Sequence, residues 1–174
     1  SQFSRVDPLT KTVELAETED FENLDKLIHD SVGIKNEVVL EDPTEQNRRK
    51  TLNYGHTLGH AIESHFLEDE SKETLLHGEA IAIGMILEAY LSKNLTGLSQ
   101  SALSDISKTF LSRYEKVSFS DADIAIILSL LKFDKKNSHG NINFVLLNNI
   151  GETQIDVKID SNLFSEAFSY YKHL

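Results

Sequence analysis

The hydrophobic pattern divides the chain into a few helices and one β segment. A helical period appears from Phe21 and runs through Leu24, Leu27, Ile28, Val32, Ile34, Val38 and Val39. Residues 1–20 ahead of it are polar and weakly patterned and read as a loop or frayed lead-in, which puts the domain at 21–174. Glu41-Asp42-Pro43 breaks the first helix. Asp42 suits a cap, Pro43 a first helical turn and Glu45 the carboxylate of a capping box, so a second helix is expected through Arg48, Leu52 and His56 to about Phe66. An acidic loop, Glu68 to Glu73, precedes a long apolar helix from Leu75 to about Leu95. That helix is apolar nearly all round and rich in small residues, which predicts a central, buried position.

After a turn at Gly97-Leu98-Ser99, another helix is expected through Phe110 and Tyr114, and a short one capped by Ser120 through Ile127 and Leu131. Asn141 to Leu147 and Gln154 to Ile159 are strand-like, and Asn149-Ile150-Gly151-Glu152 between them can turn a hairpin. Asp160 or Ser161 then caps a final helix through Leu163, Phe164 and Phe168. The expected fold class is mainly α, with one small β hairpin near the C-terminal end.

Composition narrows the function. The 174 residues suit one domain, and the hydrophobic and charged fractions of 40% and 26% are those of a globular protein. A net charge of −11 argues against nucleic-acid or acidic-membrane partners, which need a basic footprint. It leaves room for a small phosphorylated substrate. No apolar run reaches the length of a membrane span, and the first residues have no apolar signal core. The absence of cysteine removes thiolate ligands and disulfides and fits a reducing, cytoplasmic setting.

The chemistry concentrates between Lys35 and His77. Leu52-Asn53-Tyr54-Gly55-His56-Thr57-Leu58-Gly59-His60-Ala61-Ile62-Glu63 places His56 and His60 one turn apart if helical, with Asn53 and Glu63 near that face. Arg49 and Glu45 extend the stripe backwards. Such a face is costly to bury unless it surrounds a ligand or ion. Two imidazoles at this spacing can share a metal, or can be ordinary histidines with local hydrogen bonds. The zinc-protease pattern is absent, since Thr57 stands where its glutamate would be. Gly55 and Gly59 point to close approach by a ligand or by another backbone. His77, opening the apolar helix beside Gly78, suits either a cleft or a helix start. Asp134-Lys135-Lys136 can be a solvated turn or a pair of cations for an anionic substrate. His29, His65, His139 and His173 show no pattern.

Taken together, these segments resemble the C-terminal domain of the 3-dehydroquinate synthase family. Asn53 to Glu63 is similar to the family's most specific run. His77-Gly78-Glu79-Ala80 with Ile83-Gly84-Met85 matches a second run, and Asp134-Lys135-Lys136 with Phe144 to Leu147 and Ile150-Gly151 matches a third. Lys35, Asp42, Glu45 and Arg49 complete the pattern.

The resemblance implies a phosphate-eliminating lyase of the shikimate route. Its substrate is a phosphorylated keto-acid, and its cofactors are a divalent metal, zinc or cobalt, and NAD. It implies His56 and His77 as metal ligands and His60 and Glu45 as catalytic groups. Lys35, Arg49, Asn53 and one of Lys135 and Lys136 would bind substrate. It further implies an N-terminal NAD-binding α/β domain and a homodimeric full-length form. No Gly-rich nucleotide fingerprint occurs here, and the family's third ligand, a glutamate, would align before residue 1. The chain is therefore expected to be a truncated piece, inactive alone, with an apolar or mixed patch and self-association where the missing domain docks.

Three rival readings remain. Other sugar phosphate cyclases share much of the pattern. Metal-dependent alcohol dehydrogenases usually carry a proline after the later His-Gly, whereas here only Pro8 and Pro43 occur. A helical interaction module leaves the polar stripe unexplained.

Overall fold

The computed structural model describes residues 21–137 and 142–174, with no side-chain description for 21–22 and 132–137. The expected loop over residues 1–20 lies outside the described residues. The chain divides into two units, Ser1–Leu52 and Asn53–Leu174.

In the first unit, α1 (Phe21–Glu41) follows the predicted period. It leaves Ile28, Val32, Ile34 and Leu40 exposed. Its end is set by Asp42, whose carboxylate accepts from the backbone N–H groups of Gln46 (3.0 Å), Asn47 (2.7 Å) and Arg49 (3.1 Å). Those bonds hold the Asp42 carboxyl below the usual range. Glu41 and Arg48 form an ion pair across the turn.

The expected continuous helix from Asp42 to Phe66 does not form. A 3-10 helix, Arg48–Asn53, is followed by a turn at Tyr54-Gly55, and α2 (His56–Glu68) starts afresh. Gly55 has φ 82°, a left-handed conformation that interrupts a right-handed helix. No helix starts at Asp42, so Glu45 does not stand at the third position of one. It lies at φ 55° and pairs with Arg49 at 3.7 Å.

The second unit is built around α3 (His77–Leu95), buried as its all-round apolar pattern predicts. Against it pack α2, α4 (Gln100–Leu111), α6 (Ser161–Lys172) and the hairpin strand β1 (Phe144–Asn149). The fifth helix, α5 (Asp121–Asn137), packs on α2. It continues through Asp134-Lys135-Lys136, so that segment is helical rather than a turn. Strand β2 (Glu152–Val157) pairs antiparallel with β1 across the Ile150-Gly151 turn, in register Leu146 to Gln154. Two side chains of α3 tie the hairpin down: Ser92 Oγ accepts from Leu147 N–H at 2.9 Å, and Thr96 Oγ1 donates to the Leu147 carbonyl at 2.6 Å.

Helices α2 and α3 meet backbone to backbone. A Cβ added to Gly84 would stand 2.7 Å from the Gly59 nitrogen, and one added to Gly59 would stand 2.7 Å from Ile81 Cδ1. The glycines beside the two histidines are therefore explained by the approach of a neighbouring helix. The core is filled by Leu58, Ile62, Ile86, Leu87, Phe144 and Phe168. No helix among the described residues is long and apolar enough to cross a membrane.

Candidate metal centre

Each helix of the α2–α3 pair begins with a histidine, His56 on α2 and His77 on α3. Packing the helices through their glycines brings the two starts together. His60, one turn along α2, completes a triangle. The ring centroids are 5.3 Å apart for His56 and His60, 6.0 Å for His56 and His77, and 5.6 Å for His60 and His77. One ring nitrogen from each lies within 4.8 Å of the others, so the three can face one ion. Two helices start at this place, and the partial positive charge at their N-termini also favours an anionic oxygen.

Hydrogen bonds fix two of the rings. His56 Nδ1 is 3.2 Å from the Tyr54 carbonyl oxygen, which can only accept, so Nδ1 carries the proton and Nε2 the lone pair. His77 Nδ1 donates to Glu63 Oε2 at 3.0 Å, which likewise leaves Nε2 as the lone-pair nitrogen. Neutral imidazoles with an outer hydrogen bond on Nδ1 are the donor chemistry a divalent transition metal takes, so the residues present fit such an ion.

The site is open. His60, His77 and Asn53 are exposed, and His56 and Glu63 are half-buried. The expected penalty for burying a polar stripe therefore does not arise. Nor does the stripe lie on one helix, because the break at Gly55 separates Arg49 and Asn53 in the 3-10 helix from His56 onward. Lys35 lies on α1, Glu45 and Arg49 lie in the same unit, and Lys135 and Lys136 fall in the last turns of α5.

Two features of the surroundings escaped the sequence reading. Glu88 of α3 is fully buried and accepts from the N–H groups of Gly55 at 2.7 Å and Leu58 at 3.3 Å. Burial pushes its carboxyl up to about 8, against the pull of bonds from Gly55, Leu58 and Thr57. A glutamate inside a helix apolar on all sides was the available signal. Burial, and then the Glu88 charge, also raises the Tyr54 phenol well above its usual range. The second feature is His65, also buried, whose Nε2–H donates to Asp123 Oδ1 at 2.7 Å. Lys72 Nζ reaches the same oxygen at 3.0 Å, and Ser120 N–H and Oγ donate to Oδ2. His65, Asp69 and Asp123 also lie close enough to share an ion. However, both Asp123 oxygens are already held, Oδ1 by His65 and Lys72 and Oδ2 by Ser120. A cavity of about 90 Å³ bordered by Val117, Phe119, Phe168 and Tyr171 touches none of the candidate residues.

The fold and the histidine cluster describe a helical domain with a candidate metal site, and comparison with known proteins gives the family. Residues 3–137 match the model of the 3-dehydroquinate synthase C-terminal domain. The chain belongs to the 3-dehydroquinate synthase family and corresponds to that C-terminal domain. It is 37% identical over 156 residues to the 3-dehydroquinate synthase of Parabacteroides distasonis, covering 90% of this chain and 44% of that protein. It is 39% identical over 138 residues to the pentafunctional AROM polypeptide of Mycosarcoma maydis, covering 73% of this chain and 8% of that one. Among solved structures, a 2-deoxy-scyllo-inosose synthase complexed with carbaglucose-6-phosphate, NAD+ and Co2+ superimposes with a TM-score of 0.68 at 26% identity. That match covers 86% of this chain and 41% of the other. A 2-epi-5-epi-valiolone synthase from Streptomyces hygroscopicus, at 17% identity and a TM-score of 0.67, shares the fold over 94% of this chain and 47% of its own.

Proposed function

We propose that this chain is the metal- and substrate-holding domain of a 3-dehydroquinate synthase. That enzyme is the phosphate-eliminating lyase that closes 3-deoxy-D-arabino-heptulosonate 7-phosphate to 3-dehydroquinate. The observation that carries the reading is the convergence of His56, His60 and His77 at two helix starts, in a chain of this family. The curated relatives named 3-dehydroquinate synthase are 36–39% identical, above the 26% of the 2-deoxy-scyllo-inosose synthase, which favours dehydroquinate as product.

A divalent ion, zinc or cobalt, supplies Lewis-acid polarisation of substrate hydroxyl oxygens when bound, and NAD supplies a transient oxidation. His56 and His77 would hold the ion through the lone pair of Nε2. His60 stands at the substrate and exchanges protons with its oxygens. Asn53 hydrogen-bonds the hydroxyls, while Lys35 and Arg49 hold anionic groups. Glu45 accepts and returns a proton, and Lys135 or Lys136 brings a cation to the phosphate. The chain spans 44% of the Parabacteroides relative. On this proposal the main NAD site belongs to an N-terminal domain of a homodimeric, cytoplasmic enzyme, and this domain turns over no substrate by itself.

Zinc titration by calorimetry tests this on the chain itself. Binding lost in His56→Ala and in His77→Ala, but kept in His60→Ala, is the expected result. Binding that needs His56 and His60 and ignores His77 overturns the ligand assignment.

A further inference from the structure

The two histidines proposed as metal ligands are oriented in different ways. His56 is held by a backbone carbonyl, which is present whatever the side chain of Tyr54. His77 depends on a side chain, because its Nδ1–H donates to Glu63 Oε2 at 3.0 Å across the α2–α3 pair. The pair is open to water, with His77 57% and Glu63 31% exposed, so it contributes little to stability. Without that acceptor, an imidazole at the exposed start of a helix is free to rotate and to move its proton to Nε2, where the lone pair is needed.

We propose that Glu63 is a positioning residue for His77. Its carboxylate keeps the proton on Nδ1 and aims Nε2 at the place that His56 and His60 face. The inference rests on the metal reading above and deepens it, assigning Glu63 the outer hydrogen bond that a ligating histidine requires. Glu63 lies two turns from His56 on α2, so one helix supplies both a ligand and the partner of the opposing ligand.

The test uses Glu63→Ala and Glu63→Gln in the 174-residue chain, with two readouts. In metal-free protein carrying 15N-histidine, long-range proton–nitrogen spectra report each tautomer. His77 is expected to be Nδ1–H in the wild type and to shift largely to Nε2–H in Glu63→Ala. Glu63→Gln, whose amide oxygen still accepts, keeps much of the wild-type form. His56, bonded to the Tyr54 carbonyl, is the internal control and stays unchanged. By calorimetry, zinc affinity is expected to fall about 10- to 100-fold in Glu63→Ala and less in Glu63→Gln. A His77 tautomer identical in wild type and Glu63→Ala overturns the proposal, and so does unchanged zinc affinity. If the wild type binds no zinc, the metal reading fails, while the spectra still decide whether Glu63 sets the ring.

Discussion

Glu88 and Gly55 are 33 residues apart in sequence, yet the Glu88 carboxylate accepts the Gly55 N–H at 2.7 Å in the middle of the fold. The same carboxylate accepts from Leu58 at 3.3 Å. The first N–H groups of any helix have no partner within it. Here a buried side chain from α3 accepts from Leu58 N–H in the first turn of α2 and from Gly55 N–H just before it, at the point where α2 carries His56. The cap comes from a neighbouring helix because Gly55, at the position before α2, has no side chain to provide one.

Replacing Glu88 should therefore do more than open a cavity. Glu88→Ala leaves buried N–H groups of α2 without acceptors, at a cost of about 1–3 kcal/mol. Glu88→Gln keeps one acceptor oxygen and should lose less. Urea denaturation of the three proteins checks the order, and equal midpoints would remove the cap from the account.

Stability should also respond to pH through this residue. An unfolded glutamate titrates near 4.5, and burial raises the folded one to about 8. The folded state then holds a proton that the unfolded state has released. The contribution is full below pH 4.5 and is lost as pH rises towards 8, with a slope of up to about 1.4 kcal/mol per pH unit. Denaturation of metal-free protein from pH 5 to 8 should show this decline in the wild type relative to Glu88→Gln. Parallel curves would contradict it.

The α2–α3 crossing tolerates no side chain at Gly84, whose added Cβ would stand 2.7 Å from the Gly59 nitrogen. Gly84→Ala should destabilise by about 1–3 kcal/mol as the helices part. Because His77 lies on one helix and His56 and His60 on the other, zinc affinity should fall too. A variant with normal zinc affinity would mean that the triangle does not depend on this crossing.

Asp123 should be the acid-sensitive member of the second buried cluster. Burial alone would raise its carboxyl, but bonds from His65, Ser120 and Lys72 outweigh that and hold it well below the usual range. Its contribution is present above the unfolded value of 3.8 and fades as pH falls further. Asp123→Ala strands His65 and Lys72, and a cost of about 3–5 kcal/mol is expected. Melting curves at neutral pH check the loss, while zinc titration should be unaffected because the histidine triangle does not use Asp123.

Much of the fold was legible because it is local. The period from Phe21 marked α1, the all-round apolar run marked the buried α3, and Asn149 to Glu152 marked the hairpin turn. The second expected helix failed at Gly55. Pattern matching read its apolar positions as continuous, while the left-handed glycine and the bond from Glu88 start α2 only at His56. The helix expected to be short over Ile127 and Leu131 runs on to Asn137, through Asp134-Lys135-Lys136.

The sequence by itself determined the element types and, through the Asn53–Glu63 and His77–Ala80 runs, the family. Residue identity and spacing along one chain are enough for both. The family resemblance implied that His56 and His77 share an ion, but only the tertiary structure gave the geometry of the His56, His60 and His77 triangle, and only it decided that Glu88 caps α2 and that His65 is buried against Asp123. These pairs join residues 21, 33 and 58 positions apart, counted from their own numbers. No local propensity encodes such distances. They follow from which helix faces bury together, and at the α2–α3 pair that is set by three glycines small enough to let two backbones touch.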